Sequence, residues 1–197
     1  MSERPSTAVL GFRPHTYWTA VVAVAGSLKT PQVLERRRIV FATGLERFVY
    51  HQAENMDLAK AQALIDDVRA ATQANAAREI GALLADLQNE GVEVSAAATA
   101  AGTARLPDSL ADIVAVHARM HAAEGEFYRD VVAEGCRAVG LEVHRVVERD
   151  APGLVAAQLH IDAAQLEARM MQMGAALGPP WNEDFRLATQ AAWSQLH

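Results

Sequence analysis

Two apolar stretches joined by a short polar turn open this chain, a third extended stretch follows, and only then does a long helix begin. That order restricts the fold more than any other feature. Ala8-Val9-Leu10-Gly11-Phe12 and Ala20-Val21-Val22-Ala23-Val24 flank Pro14-His15-Thr16-Tyr17 and read as strand, tight turn, strand. After Gly26-Ser27, a third strand is expected within 33–42, where Val33, Leu34, Ile39, Val40 and Phe41 supply extended character. Asp57 is placed to cap a helix running to Glu90, which Gly91 ends. Along it Leu58, Ala61, Ile65, Val68, Thr72, Ile80, Leu83, Leu84 and Leu87 recur at helical spacing. Val92-Glu93-Val94-Ser95-Ala96-Ala97-Ala98 is a fourth strand, built like a buried one. A loop at 102–107 leads into a second long helix, from Asp108 or Ser109 to near Gly140, and then a fifth strand at 141–147. Two or three shorter helices follow Pro152, the last capped by Asn182 and running through Trp193. Three strands, helix, strand, helix, strand and terminal helices imply α/β layers, with antiparallel strands first and crossovers later.

At 197 residues the chain is expected to form one domain, 1–197, with 151–197 as a C-terminal helical segment. Its 51% hydrophobic and 21% charged residues fit a folded domain rather than a disordered one. A net charge of -6 argues against a protein that coats nucleic acid nonspecifically, since such binding neutralises phosphates. Arg36-Arg37-Arg38 is a local basic triplet whose ordinary reading is a solvated strand edge. The single cysteine, Cys136, rules out an intramolecular disulfide or a cysteine-rich zinc module and reads as a packed thiol near a helix end. No secretory pattern stands at 1–5, and no apolar run has membrane-spanning length, so a cytoplasmic location without membrane contact is expected. Phosphate-binding glycine loops and dinucleotide fingerprints are lacking. The three tryptophans, Trp18, Trp181 and Trp193, read as core or terminal-helix anchors.

Val9-Leu10-Gly11-Phe12-Arg13-Pro14 resembles the Leu-Gly-Ile-Asp-Pro-Gly strand end of the RuvC-type Holliday-junction resolvases, with Arg13 in the aspartate position. Three further places carry the resemblance. The fourth strand ends at Ala97-Ala98, where the family has a glutamate. The 151–178 stretch is similar to the family's paired helices, and Pro180-Trp181-Asn182-Glu183-Asp184-Phe185-Arg186-Leu187-Ala188 to its terminal helix. The resemblance implies a ribonuclease H-like three-layer α/β fold, with a five-stranded mixed sheet whose first three strands are antiparallel, flanked by helices. It also puts Glu183 and Arg186 in the last two acid positions, with Asp184 as the alternative one residue along.

The departures bear on chemistry. The family gathers carboxylates around two divalent ions about 4 Å apart. Here the first acid is Arg13, the second is alanine, and one of the last pair is arginine. At an effective dielectric near 20, a positive charge ~4 Å from a divalent ion costs about 8 kcal/mol where a carboxylate would gain as much. A standard two-magnesium site is therefore not expected, and the cofactor requirement stays open. Arg13 has two readings: an ion pair with Glu183 or Asp184, or an anion-binding group, since a guanidinium suits phosphate bidentately. His15 and Thr16 would add donors, and Arg186 a second cation.

A second pattern lies on the later long helix. His117, His121, Glu124 and Tyr128 are offset by 4, 7 and 11 residues and share one face. A histidine pair at i, i+4 followed by a carboxylate is able to hold a transition metal, although the pair more often covers an interface, and no metal is assigned here. The same stripe could line a pocket opposite Arg13 and His15, with Glu124, Glu126 or a histidine as general acid or base. Glu126 and Arg129 read as a surface pair, His144, Arg145 and Glu148 as polar groups on the fifth strand's edge, and His51 has no assignable partner. Three functions compete. The first is a RuvC-like domain with a degenerate two-metal site, binding structured nucleic acid or a phosphorylated small molecule through Arg13, His15, Thr16, Glu183 and Arg186. The second is a hydrolase relocated to His117, His121 and Glu124. The third is a scaffold or homodimer using the 57–90 helix.

Overall fold

A computed structural model of the chain describes residues 7–197; the 1–5 segment, read above for a secretory pattern, lies outside the described residues. β1 (Thr7–His15) and β2 (Trp18–Gly26) form the expected hairpin, with His15 opposite Trp18 across a two-residue turn. Tyr17 closes the turn at φ 64°, a left-handed conformation uncommon for a residue with a side chain. β3 (Pro31–Val40) pairs antiparallel with β2 and forms one edge of the sheet. β4 (Glu93–Ala101) lies parallel to β1, and β5 (Val143–Val147) parallel to β4, giving the order β3-β2-β1-β4-β5. This is the mixed ribonuclease H-like sheet that the sequence predicts.

Helices cover both faces. α2 (Leu58–Asn89) starts where Asp57 accepts hydrogen bonds from the backbone N–H groups of Ala59 and Lys60, and ends before Gly91, at φ 79°. It buries Ala61, Ile65, Val68, Thr72, Ala76, Ile80, Leu83 and Leu87 at three- and four-residue steps, adding Ala76 to the row read from the sequence and leaving Leu58 exposed and Leu84 half-buried. That row meets α4 (His117–Ala138), and a Cβ on Gly135 would lie 2.9 Å from Cβ of Ala76, so glycine lets the two helices touch. Leu10 and Phe12 of β1 point into this layer. The alternate residues, Val9 with Ala20, Val22 and Val24 of β2, face α6 (Ala163–Leu177) and α7 (Glu183–Trp193) through Leu166, Met170, Phe185, Ala188 and Trp193. α5 (Ala151–Leu159) adds Val155 to that core. A fully buried Leu, Val or Phe contributes ~1.5–3 kcal/mol, so these two apolar layers hold the sheet and the polar clusters ride on it. α7 rests directly on β1: a Cβ on Gly11 would lie 1.9 Å from the Ala188 carbonyl oxygen.

The structure corrects the sequence reading at three elements. The helix expected from 108 or 109 to 140 is two helices, α3 (Leu110–Val114), capped by Ser109, and α4. Between them Val116 is extended at φ -136° and ψ 114°; Ile113, Val114 and Val116 are β-branched and poorly suited to continuing a helix. α1 (Val49–Ala53) has no signal in the sequence, because five residues are too few to show a period. β4 runs to Ala101 rather than Ala98, since alanine gives a strand no pattern by which to place its end.

Cys136 is buried, and burial pushes its thiol up to about 12, as for an inert packed group. Trp193 is a core anchor whose indole N–H donates to the Leu28 carbonyl at 2.8 Å. Among the described residues no helix is long and apolar enough to cross a membrane.

Candidate functional site

Strand alternation puts Arg13 on the same face of β1 as Gly11, beneath the start of α7. There it meets carboxylates from two other elements. Its NH2 group donates to Glu148, just beyond β5, at 3.0 Å, and its NH1 group donates to Asp184 in the first turn of α7. His15 closes the cluster, with Nε2 2.7 Å from Asp184 and 2.9 Å from the Arg13 NH1 nitrogen. One ring nitrogen cannot donate to Asp184 and accept from Arg13 together, so the tautomer decides which bond forms. Burial alone would raise the Asp184 carboxyl, but hydrogen bonds and charge from His15 and Arg13 outweigh it and hold the group below the usual carboxylate range. Ala98 and Ala100 present the same face of β4, where alternation leaves no acid. The guanidinium therefore stands between two carboxylates in a cluster to which β4 adds no charge.

This geometry chooses between the two registers on α7. Asp184, not Glu183, reaches Arg13. Glu183 is exposed and, with Arg186, lines a cleft of about 500 Å³ between α5, α6 and α7. Arg186 donates to Glu167 of α6 there, away from Arg13, so the two arginines do not form one anion site. Thr16 sits in the hairpin turn, with no side-chain hydrogen bond to the cluster among the described residues. Glu148, read only as an edge group, is a full member.

Beside the cluster the hairpin carries a stack. Trp18 packs, partly buried, against the core beneath α6 and α7, and it also lies on His15, with ring centroids 4.2 Å apart and planes 7° from parallel. The Arg38 guanidinium sits 3.9 Å over Trp18 and donates to the Tyr17 hydroxyl at 3.2 Å, while Arg47 sits 4.0 Å over the Tyr17 ring. The basic triplet is not uniform. Arg36 donates to the carbonyls of Leu177 and Pro179, and Arg37 pairs with Glu35 and Asp86. Arg38 and Arg47 have no carboxylate partner among the described residues. A cleft of about 320 Å³ runs between Trp18, Arg36, Arg38, Asn182 and Asp184.

The histidine stripe lies elsewhere. His117 and His121 are exposed on the first turns of α4, and Glu124 is buried one turn on, in the layer on the other face of the sheet. The stripe and Arg13 thus lie on opposite faces of the sheet and do not line one pocket among the described residues. Glu124 Oε1 accepts from the backbone N–H groups of Tyr50 at 2.8 Å and His51 at 3.3 Å, and lies 3.3 Å from Nδ1 of His51. Burial pushes this carboxyl above the usual range despite those bonds. Tyr128 donates to the Arg47 carbonyl at 2.6 Å, tying the loop before α1 to α4. His51 is the member that sequence reasoning misses, because its element is too short to detect. Glu126 pairs with Arg129 as expected, and also with Arg145 of β5.

No protein-family model and no curated protein sequence matches the chain. Among solved structures, that of Thermus thermophilus RuvC aligns with 95% of this chain and 92% of its own, at a TM-score of 0.51 and 12% identity. T. thermophilus RuvC in complex with Holliday junction substrate aligns with 95% of this chain and 91% of its own, at 0.49 and 11% identity. At such identity the likeness to the first of these shows the fold alone, a ribonuclease H-like α/β arrangement.

Proposed function

We propose that this chain is a RuvC-like nucleic-acid-binding domain that does not cleave by the two-metal route. The observation that carries this is the Arg13 guanidinium bonded to Asp184 and Glu148 at the end of β1. Its positive charge takes the place a metal ion would need, and the carboxylates that would ligate an ion are already engaged. Because Arg13 and Arg186 are both held by acids, the contacts to a phosphate backbone fall to Arg38 and Arg47. Arg38 is stacked on Trp18, which lines the cleft, and Arg47 on the neighbouring Tyr17 of the hairpin turn. Rings that hold guanidinium groups in place reduce the entropy lost when those groups bind phosphate. With a net charge of -6, binding of this kind is local and shape-dependent rather than a general coating.

Fluorescence anisotropy with labelled four-way junction, duplex and single-stranded DNA across a salt series, with manganese present, tests this reading. Salt-sensitive binding that prefers the junction, with the DNA intact afterwards, is the expected result. The Arg38→Ala/Arg47→Ala variant should bind more weakly, with a salt slope smaller by about 2, ~1 for each phosphate left without its arginine. Cleavage would overturn the non-cleaving half of the reading. Absence of binding at low salt would overturn the other half and direct the search to phosphorylated small molecules in the same cleft.

A further inference from the structure

We propose that His51, His117 and His121 form a binding site for one zinc ion whose fourth coordination position faces solvent. The site lies on α1 and α4, on the face of the sheet away from Arg13.

Geometry comes first. The candidate ligand nitrogens of the three rings lie within 4.8 Å of one another, and Nε2 of His117 is 3.0 Å from Nε2 of His121. Three nitrogens held tetrahedrally at 2.0–2.1 Å from zinc stand ~3.3 Å apart, so modest rotations of the two exposed rings complete the set. The break at Val116 starts α4 at His117, and one helical turn carries His121 to the same side.

The unpartnered atoms come second. His51 Nε2 is buried and has no hydrogen-bond partner, while Nδ1 of the same ring faces Glu124. A ring held by a carboxylate at one nitrogen, with the other directed toward two imidazoles, has the arrangement that orients a metal-bound histidine. Glu124 itself is only 3% exposed, its Oε2 has no partner, and no Lys or Arg pairs with it among the described residues. A buried carboxylate left this way is costly, and a divalent ion one ring away supplies the missing positive charge.

Ligand chemistry names the ion. An all-imidazole set suits zinc, copper or nickel and not magnesium or calcium, which take oxygen ligands. Three protein ligands and an open fourth position are usual for zinc. Glu124 is a positioning residue here, since it reaches the site only through His51. The ion would clamp α1 to the first turns of α4 and steady the loop that carries Arg47.

The test is calorimetric titration of metal-stripped protein with zinc chloride, with retained metal counted by native mass spectrometry. Cobalt(II) substitution should give the visible absorption of a four-coordinate ion. One equivalent per chain is expected, and it should be lost in His117→Ala and in His121→Ala, both exposed positions where circular dichroism should show an unchanged fold. Glu124→Gln should weaken binding ~10–100-fold while keeping one equivalent. No uptake by the unmodified protein, or uptake unchanged in the His117→Ala/His121→Ala variant, would overturn the site; these two readouts decide the matter even where Glu124→Gln fails to fold.

Discussion

Around Arg13, two carboxylates converge on a cation that the chain supplies; around His51, a buried carboxylate and three imidazoles converge on a place where it supplies none. In the first cluster Asp184 and Glu148 both find a guanidinium proton, and the atom left without a partner is Nε of Arg13, on the cation and not on a carboxylate. The second leaves His51 Nε2 and Glu124 Oε2 without partners. The contrast teaches that the end of β1 holds its carboxylates with a charge of its own, while a position on the other face of the sheet leaves a carboxylate and an imidazole without such a charge. Same-sign groups gathered at a strand or helix end do not by themselves say which of these outcomes holds. The satisfied or unsatisfied atoms do.

Removing the internal cation breaks the contrast most strongly. Arg13→Ala leaves Glu148 without its guanidinium donor and Asp184 with His15 alone, and should cost about 2–3 kcal/mol, the scale of hydrogen bonds to charged groups. The loss stays below the ~3–5 kcal/mol of a fully buried pair because the Glu148 side chain is 35% exposed. Urea unfolding measures it. Millimolar manganese should restore part of the loss in the variant and leave the unmodified protein unchanged; equal response in both would mean that the cluster is an ordinary ion pair and not a closed metal position.

Acid sharpens the comparison with a smaller effect. Asp184 is held below its ordinary range in the folded state, so its contribution is present above the unfolded value near ~3.9 and is lost as pH falls through the lower folded value. Unfolding curves collected from about pH 5 down to about pH 2 should therefore lose stability more steeply in the unmodified protein than in Asp184→Asn. Parallel curves would remove Asp184 from the network.

The smallest effect is expected at Arg38. Arg38→Ala removes a guanidinium from the Trp18 ring and should cost ~0.5–1 kcal/mol of stability, read by thermal unfolding. A loss several times larger would make Arg38 a structural brace and not a free group for phosphate.

The fold is legible because its signals are periodic and long. The alternation in β1 and β2, the eight-residue buried row of α2, and the caps at Asp57 and Asn182 all survive in the structure. The break at Val116 is not legible, since three β-branched residues lower helix propensity without naming where the chain extends. The site is half legible. Arg13 announces itself against the family pattern, and His117, His121 and Glu124 by helical offset. Their partners, Glu148, Asp184 and His51, are 135, 171 and at least 66 positions away in the chain, and only the topology brings them in. Arg186 misleads for the opposite reason: the helix register that would aim it at Arg13 is one residue out, and Glu167 stands closer.

The glycine under α7 sets that register. Two residues of strand, from Gly11 to Arg13, advance ~6.6–6.8 Å, and four residues of helix, from Ala188 back to Asp184, advance ~6.0 Å. With the Ala188 carbonyl seated on Gly11, strand and helix act as two rulers laid edge to edge from a shared zero, and their next marks, Arg13 and Asp184, fall opposite one another. One inserted residue between 184 and 188 would turn the carboxylate ~100° around the helix. The charge lock is thus a matter of alignment between two unlike spacings, and a missing side chain is what keeps them in step.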